Sequence, residues 1–147
     1  MYNAKDLLNE LIRCNPVTGD VDAVETATTH MKDYLENHGL YVHLELCDGR
    51  HVLYAATTNT RTPRTLFNAH LDVVPPGDKA SFEPIEKDGW LYARGASDCL
   101  GNSAVIANAL IRASKDADAG AVFSTDEETG GKTTRHMVQQ GYGASDL

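Results

Sequence analysis

The sequence predicts an α/β fold, a mixed β-sheet flanked by helices, built as one domain from 147 residues. Three observations predict it. Two helix-periodic segments lead the chain, and a pair of alternating segments joined by Asp48-Gly49 follows them. From there to the end, strand-like and helix-like runs alternate.

Residues 4–13 place Leu7, Leu8, Leu11 and Ile12 on one helical face, and Asn15-Pro16 ends the pattern. Thr18-Gly19-Asp20 reads as a turn into a second helix. That helix carries Val21, Val24, Ala27, Met31, Tyr34 and Leu35, with Gly39 just past its end. Val42, Leu44 and Leu46 then alternate with Tyr41, His43 and Glu45, the pattern of a half-buried strand that returns over His51–Thr57. Thr65 to Leu71 reads as a more fully buried strand. Residues 73–89, with Pro75, Pro76, Gly77, Pro84 and Gly89, read as a surface loop. A short strand at Trp90–Arg94, an apolar helix over 101–114, a buried strand from Gly120 to Thr125 and a helix over Lys132–Gln140 complete the series. Gly141 to Leu147 has the look of a turn entering a further strand.

Composition narrows the function. The hydrophobic fraction of 41% and charged fraction of 23% belong to a globular chain rather than a disordered one. Thirteen basic against 21 acidic residues give a net charge of −8, which argues against nucleic acid or an anionic membrane as main partner. No basic region with an apolar run opens the chain, and no apolar stretch approaches membrane-spanning length. Cys14, Cys47 and Cys99 are odd in number and widely spaced, so neither a disulfide framework nor a zinc ribbon is indicated, and a reducing cytoplasm is the expected location.

Three segments carry candidate chemistry. His70-Leu-Asp72 follows a strand, where residues i and i+2 share a face, so Asp72 can fix the ring of a metal-binding His70. A strand-end histidine beside a solvated aspartate is the plainer reading. Asp98 lies in Arg94-Gly-Ala-Ser-Asp-Cys-Leu-Gly101, flanked by glycines that permit close approach to a ligand, or it caps the following helix. The run Asp126-Glu127-Glu128 is a solvated loop, a group of acids favoured near the start of the next helix, or a cation site. On the cation-site reading one glutamate meets the metal and its neighbour transfers a proton. Together the three segments offer His, Asp and Glu at strand ends, the donor set of an O/N-ligated zinc pair.

Three longer motifs extend these segments: Ala69-His-Leu-Asp-Val-Val-Pro-Pro-Gly-Asp78, Asp88-Gly-Trp-Leu-Tyr-Ala-Arg-Gly-Ala-Ser-Asp98-Cys-Leu-Gly101, and Thr125-Asp-Glu-Glu-Thr-Gly-Gly131. In order and surroundings they resemble the M20 metallopeptidases, the group of acetylornithine deacetylases, succinyl-diaminopimelate desuccinylases, aminoacylases and carboxypeptidases. The resemblance implies a zinc-exopeptidase-like catalytic domain that hydrolyses an amide bond in an N-acyl amino acid or small peptide. It implies that His70 binds one zinc ion, Glu128 a second, and Asp98 both. Co2+ or Mn2+ would serve as substitutes. Asp72 would orient His70, and Glu127 would be the general base toward a zinc-bridging water. It also implies a cis peptide between Asp98 and Cys99.

Two departures from the family pattern stand at Leu100, where many relatives have lysine, and at Asn102. Both are expected to alter the surroundings of the ligands rather than the ligand set. The resemblance further places residues 1–147 as the N-terminal portion of the catalytic domain. A further ligand to each metal, and a lid domain that binds substrate and dimerises, would lie outside them. The chain alone is therefore expected to be inactive or nearly so, and to lose zinc readily. The alternatives are a non-catalytic remnant acting as a binding or assembly module, which predicts a homo-oligomer, and one half of a split enzyme with a complementary chain. The Val73-to-Asp78 stretch leans toward the deacylase and desuccinylase branch. Cys99 is expected to be a small buried thiol rather than a nucleophile, and His30, His38, His43, His51 and His136 to be surface or half-buried residues.

Overall fold

The computed structural model describes residues 3–77, 81–114 and 116–145. Asp78, the last residue of the first motif, and the chain's two terminal pairs lie outside the described residues. Helix α1 spans Ala4–Arg13, with Asn3 Oδ1 accepting from the Lys5 N–H at its start. Helix α2 spans Val21–Asn37, with Asp20 accepting from Ala23 N–H. Each buries most of the face that its periodicity marked: Leu7, Leu11 and Ile12 from α1, and Val24, Ala27, Met31 and Leu35 from α2, while Leu8 and Tyr34 are half-buried and Val21, at the start of α2, is exposed.

Strands β1 (Tyr41–Cys47) and β2 (Arg50–Ala56) form the expected hairpin. Asp48 and Gly49 both take positive φ, as a two-residue turn between twisted strands requires. Strand β3 spans Thr65–His70. A separate two-stranded ribbon, β4 (Ile85–Lys87) with β5 (Trp90–Tyr92), interrupts the segment read as loop, because Asp88-Gly89 turns the chain back on itself. Helix α3 spans Leu100–Ala113, β6 spans Ala119–Ser124, and α4 spans Lys132–Gln139.

The main sheet has the order β1-β2-β6-β3, with β6 antiparallel to β2 and parallel to β3. It is mixed, as the sequence predicts. Alternation along β2 and β6 divides the core between the two faces. Leu53, Ala55, Ala119, Ala121 and Phe123 face α1, α2 and α3. Val52, Tyr54, Ala56 and Val122 face Met137 of α4 and Tyr142.

Two burial expectations are corrected. Strand β3 is not fully buried: it is an outer strand, so Phe67 is 42% exposed and only Ala69 and His70 are buried. Leu46, one residue pair from the hairpin turn on the other outer strand, is 62% exposed, while Val42 and Leu44 pack against the core. No helix among the described residues is long and apolar enough to cross a membrane.

Candidate metal centre

The parallel pair β3 and β6 ends at the same edge of the sheet, with His70 opposite Ser124. Ligand sites of open α/β sheets gather at such carboxyl ends. The chain then delivers three segments to this edge: His70 to Asp72 from β3, Ala96 to Cys99 ahead of α3, and Thr125 to Thr129 from β6. Backbone ties fix them in place. Leu71 N–H donates to the Ser124 carbonyl, and the buried Ser103 hydroxyl of α3 donates to the His70 carbonyl at 2.9 Å.

His70 is buried, and its Nδ1 donates to the Asp72 carbonyl at 2.8 Å, with Asp72 Oδ1 at 3.5 Å. That arrangement turns Nε2 toward the acids: Asp98 Oδ1 lies 3.0 Å away and Glu127 Oε2 3.8 Å. A fixed ring of this kind is what a metal-binding histidine needs. The Asp72 carboxylate, 0% exposed, accepts the Glu127 N–H at 3.1 Å and the Glu128 N–H at 3.2 Å, one on each oxygen. The residue thus holds the ring through its carbonyl and the acidic turn through its carboxylate. The sequence reading expected the carboxylate to hold the ring, where the structure places the carbonyl, and missed the hold on the turn, because backbone donors 55 positions downstream leave no trace in local spacing.

The acidic run splits by role. Asp126 is buried and faces away from the metal site, accepting the N–H groups of Lys132 and Thr133 at 2.9 and 3.0 Å at the start of α4. Glu127 and Glu128 begin a single 3-10 turn that reverses through Gly130 and Gly131, both with positive φ. Asp98 is not the cap of α3. Cys99 holds that position, with no side-chain cap bond, which leaves the Asp98 carboxylate 77% exposed toward His70. The Asp98–Cys99 peptide is cis. Leu100 is fully buried in the core against Gly95 and Val73, so it points away from the acids. None of His30, His38, His43, His51 and His136 is buried; His30 pairs with Glu10 and His51 with Glu25.

Charge at the site follows from these contacts. Burial opposes a charge on His70, but hydrogen bonds to Asp72 and Cys99 outweigh it and raise its pKa to about 11. Burial likewise opposes the Asp72 charge, and hydrogen bonds from His70 and the two glutamate N–H groups overcome it, lowering its pKa. Glu128 is raised, first by burial and then by the facing charge of Asp98. Carboxylates gathered around one imidazole repel one another unless a cation screens them.

Among the described residues two donor sets stand out: His70 with Asp98 and Cys99, and His70 with Glu127 and Glu128, each with its atoms within 4.8 Å of one another. Nitrogen, carboxylate oxygen and sulfur donors at such spacing fit zinc, and fit cobalt or manganese less selectively.

The model for peptidase family M20/M25/M40 matches residues 66–146, which contain all three segments of the site. A succinyl-diaminopimelate desuccinylase of a Nitratiruptor species is 29% identical over 85% of this chain and 34% of its own length. That of Paracoccus denitrificans is 38% identical over 71% of this chain and 28% of its own length. The M20 family metallo-carboxypeptidase Sso-CP2 from Sulfolobus solfataricus shares the fold, with a TM-score of 0.75 and 22% identity over 88% of this chain and 32% of that one. The chain spans about a third of the length of the curated relatives it matches. With more than half of its residues under the family model, including His70, Asp98, Glu127 and Glu128, this chain belongs to peptidase family M20/M25/M40.

Proposed function

We propose that the protein to which these residues belong hydrolyses an amide bond in an N-acyl amino acid, of the N-succinyl type or close to it, using a zinc pair. The observation that carries this reading is the convergence of His70, Asp98, Glu127 and Glu128 from three segments at one sheet edge. The acyl preference is supported by the desuccinylase relatives and by the Val73-to-Gly77 stretch. In this reading His70, Asp98 and Glu128 would hold the two ions. Bound zinc would polarise the amide carbonyl and make a water molecule acidic enough to lose a proton near neutral pH.

Glu127 is the base. Its backbone is pinned by Asp72, yet its side chain is 52% exposed, so the carboxylate can reach both solvent and substrate. It accepts a proton as the water oxygen bonds to the carbonyl carbon. It then gives that proton to the amine nitrogen as the carbon–nitrogen bond breaks. The buried Asp72 keeps His70 in one tautomer and keeps Glu127 and Glu128 side by side through the cycle.

The test joins residues 1–147 to the remaining two thirds of a desuccinylase relative and measures zinc-dependent release of amine from N-succinyl and N-acetyl amino acids. Chelator-sensitive hydrolysis that falls at least about 100-fold in Glu127→Gln is the expected result. A folded, zinc-loaded chimaera that hydrolyses none of them would sink the proposal. The 147 residues alone are expected to hydrolyse these substrates barely or not at all, and the same assay checks it.

A further inference from the structure

We propose that Cys99 is a sulfur ligand to the metal ion held by His70 and Asp98. The inference rests on the reading of those two residues as metal ligands and goes beyond it, since the sequence pattern assigns Cys99 only to the core.

Geometry is the first argument. A His70 ring nitrogen, an Asp98 carboxylate oxygen and the Cys99 sulfur all lie within 4.8 Å of one another. Ligand atoms around one tetrahedral zinc stand roughly 3.3–3.8 Å apart, given bonds of about 2.0–2.3 Å. Shifts of about 1 Å in side chains therefore close the set. Two of the three residues are adjacent in the chain, and the third is fixed by Asp72 and Ser103.

The second argument is that the sulfur's hydrogen-bond partners belong to the site itself: it faces the His70 ring and the Asn102 amide. Cys99 occupies the cap position of α3, where a side chain normally accepts a backbone N–H, and makes no such bond. It is half-buried at the margin of the core rather than inside it. Its other polar neighbour is Asn102, whose Nδ2 lies 3.9 Å from the sulfur while donating to the Ser97 carbonyl at 3.2 Å. An amide donor beside a metal-bound thiolate is the outer contact expected of a ligand. The remaining cysteines lie elsewhere: Cys14 donates to the Glu10 carbonyl in α1, and Cys47 closes the β1–β2 hairpin beside Asp48.

The chemistry follows from the donor set. One thiolate beside one imidazole and a carboxylate favours zinc, cobalt or cadmium over magnesium or calcium, which take oxygen ligands. On binding, the Cys99 thiol loses its proton to solvent and the sulfur lone pair bonds to the ion.

The experiment titrates Co2+ into the reduced 147-residue chain without oxygen and records the absorption spectrum. Visible cobalt bands report that the ion is held. A near-ultraviolet thiolate-to-cobalt charge-transfer band reports sulfur ligation. Both are expected to rise together and saturate together. In Cys99→Ser the charge-transfer band should vanish while the visible bands remain, with zinc affinity lower by at least about 10-fold. In Cys14→Ser/Cys47→Ser, where only Cys99 can supply sulfur, the band should persist; that variant decides the matter even if Cys99→Ser fails to fold. Visible bands without charge transfer in the unaltered chain, or charge transfer that survives Cys99→Ser, overturn the assignment of Cys99 and leave the metal-site reading intact. Absence of all cobalt bands overturns the assignment too, since a Cys99 ligand would give the His70–Asp98 site a third protein donor within these residues; the proposed function is tested separately, on the chimaera.

Discussion

Asp72 shows how one side chain can set a whole site. Its carbonyl fixes the His70 ring, and its two carboxylate oxygens each accept one glutamate N–H. In Asp72→Asn one of those oxygens becomes an NH2 group facing an N–H donor, so a charge-assisted hydrogen bond is replaced by a donor–donor clash. The expected loss is about 1.5–3 kcal/mol of stability. A fall in zinc affinity of about 10–100-fold should accompany it, because His70, Glu127 and Glu128 lose their common anchor. Urea unfolding and equilibrium dialysis against zinc measure the two effects. Stability unchanged within error, with zinc binding intact, would show that the turn is held by something else. The pH dependence should change as well. A carboxylate whose pKa is lowered by folding adds stability above its unfolded pKa and loses it as pH falls toward the folded one. The acid limb of the stability profile is therefore expected to flatten in the variant.

At the scale of elements, the turn from Ala96 to Gly101 does for Asp98 what β3 does for His70. It folds so tightly that a Cβ on Gly101 would stand 2.1 Å from the Ala96 carbonyl oxygen, a backbone atom that moves only with the whole turn. Gly101→Ala is therefore expected to cost about 1–3 kcal/mol and to displace Asp98 and Cys99. Thermal unfolding with and without zinc checks this, and a variant that keeps both stability and zinc affinity would refute the role given to the turn. This element also marks how far the sequence could be read. Its flanking glycines were read as room for a ligand, whereas Gly101 closes on the Ala96 backbone; the helices, the Asp48-Gly49 hairpin and the buried β6 were legible because each rests on local periodicity or turn chemistry. The position of β3 at the sheet edge was not legible, since strand order depends on contacts between distant segments. Nor was the separation of Asp126 from Glu127 and Glu128. All three are acids in one run, and only the path of the turn decides which of them meets α4.

For the whole molecule, the two faces of the sheet and its outer strand carry different consequences. Among the described residues, strand β3 leaves backbone groups and Phe67 open along one edge, a surface that pairs readily with another strand. The purified chain is expected to associate as its concentration rises, and Phe67→Lys to shift it toward monomer in light scattering; association unchanged by that substitution would place the contact elsewhere. The opposite face depends on Tyr54 and Tyr142, buried with ring centroids 4.6 Å apart. Tyr54 donates to the Thr60 carbonyl and Tyr142 to Glu45 of β1 at 2.9 Å, so this pair ties the segment after α4 to the first hairpin. Burial raises both phenols, and the hydrogen bond to Glu45 adds to the rise at Tyr142, whose pKa reaches about 12. The sign follows directly. A phenol that ionises at 10.0 when unfolded and near 12 when folded gives its full contribution below the first value and loses it as pH rises through the second. For Tyr142 that amounts to on the order of 2–3 kcal/mol. Denaturant midpoints should therefore fall steeply above the lower of these values. Tyr142→Phe, although less stable at neutral pH for want of the bond to Glu45, should show a shallower decline. Equal alkaline slopes for the two proteins would mean that the ring is open to solvent, and that the face beneath α4 does not hold Tyr142.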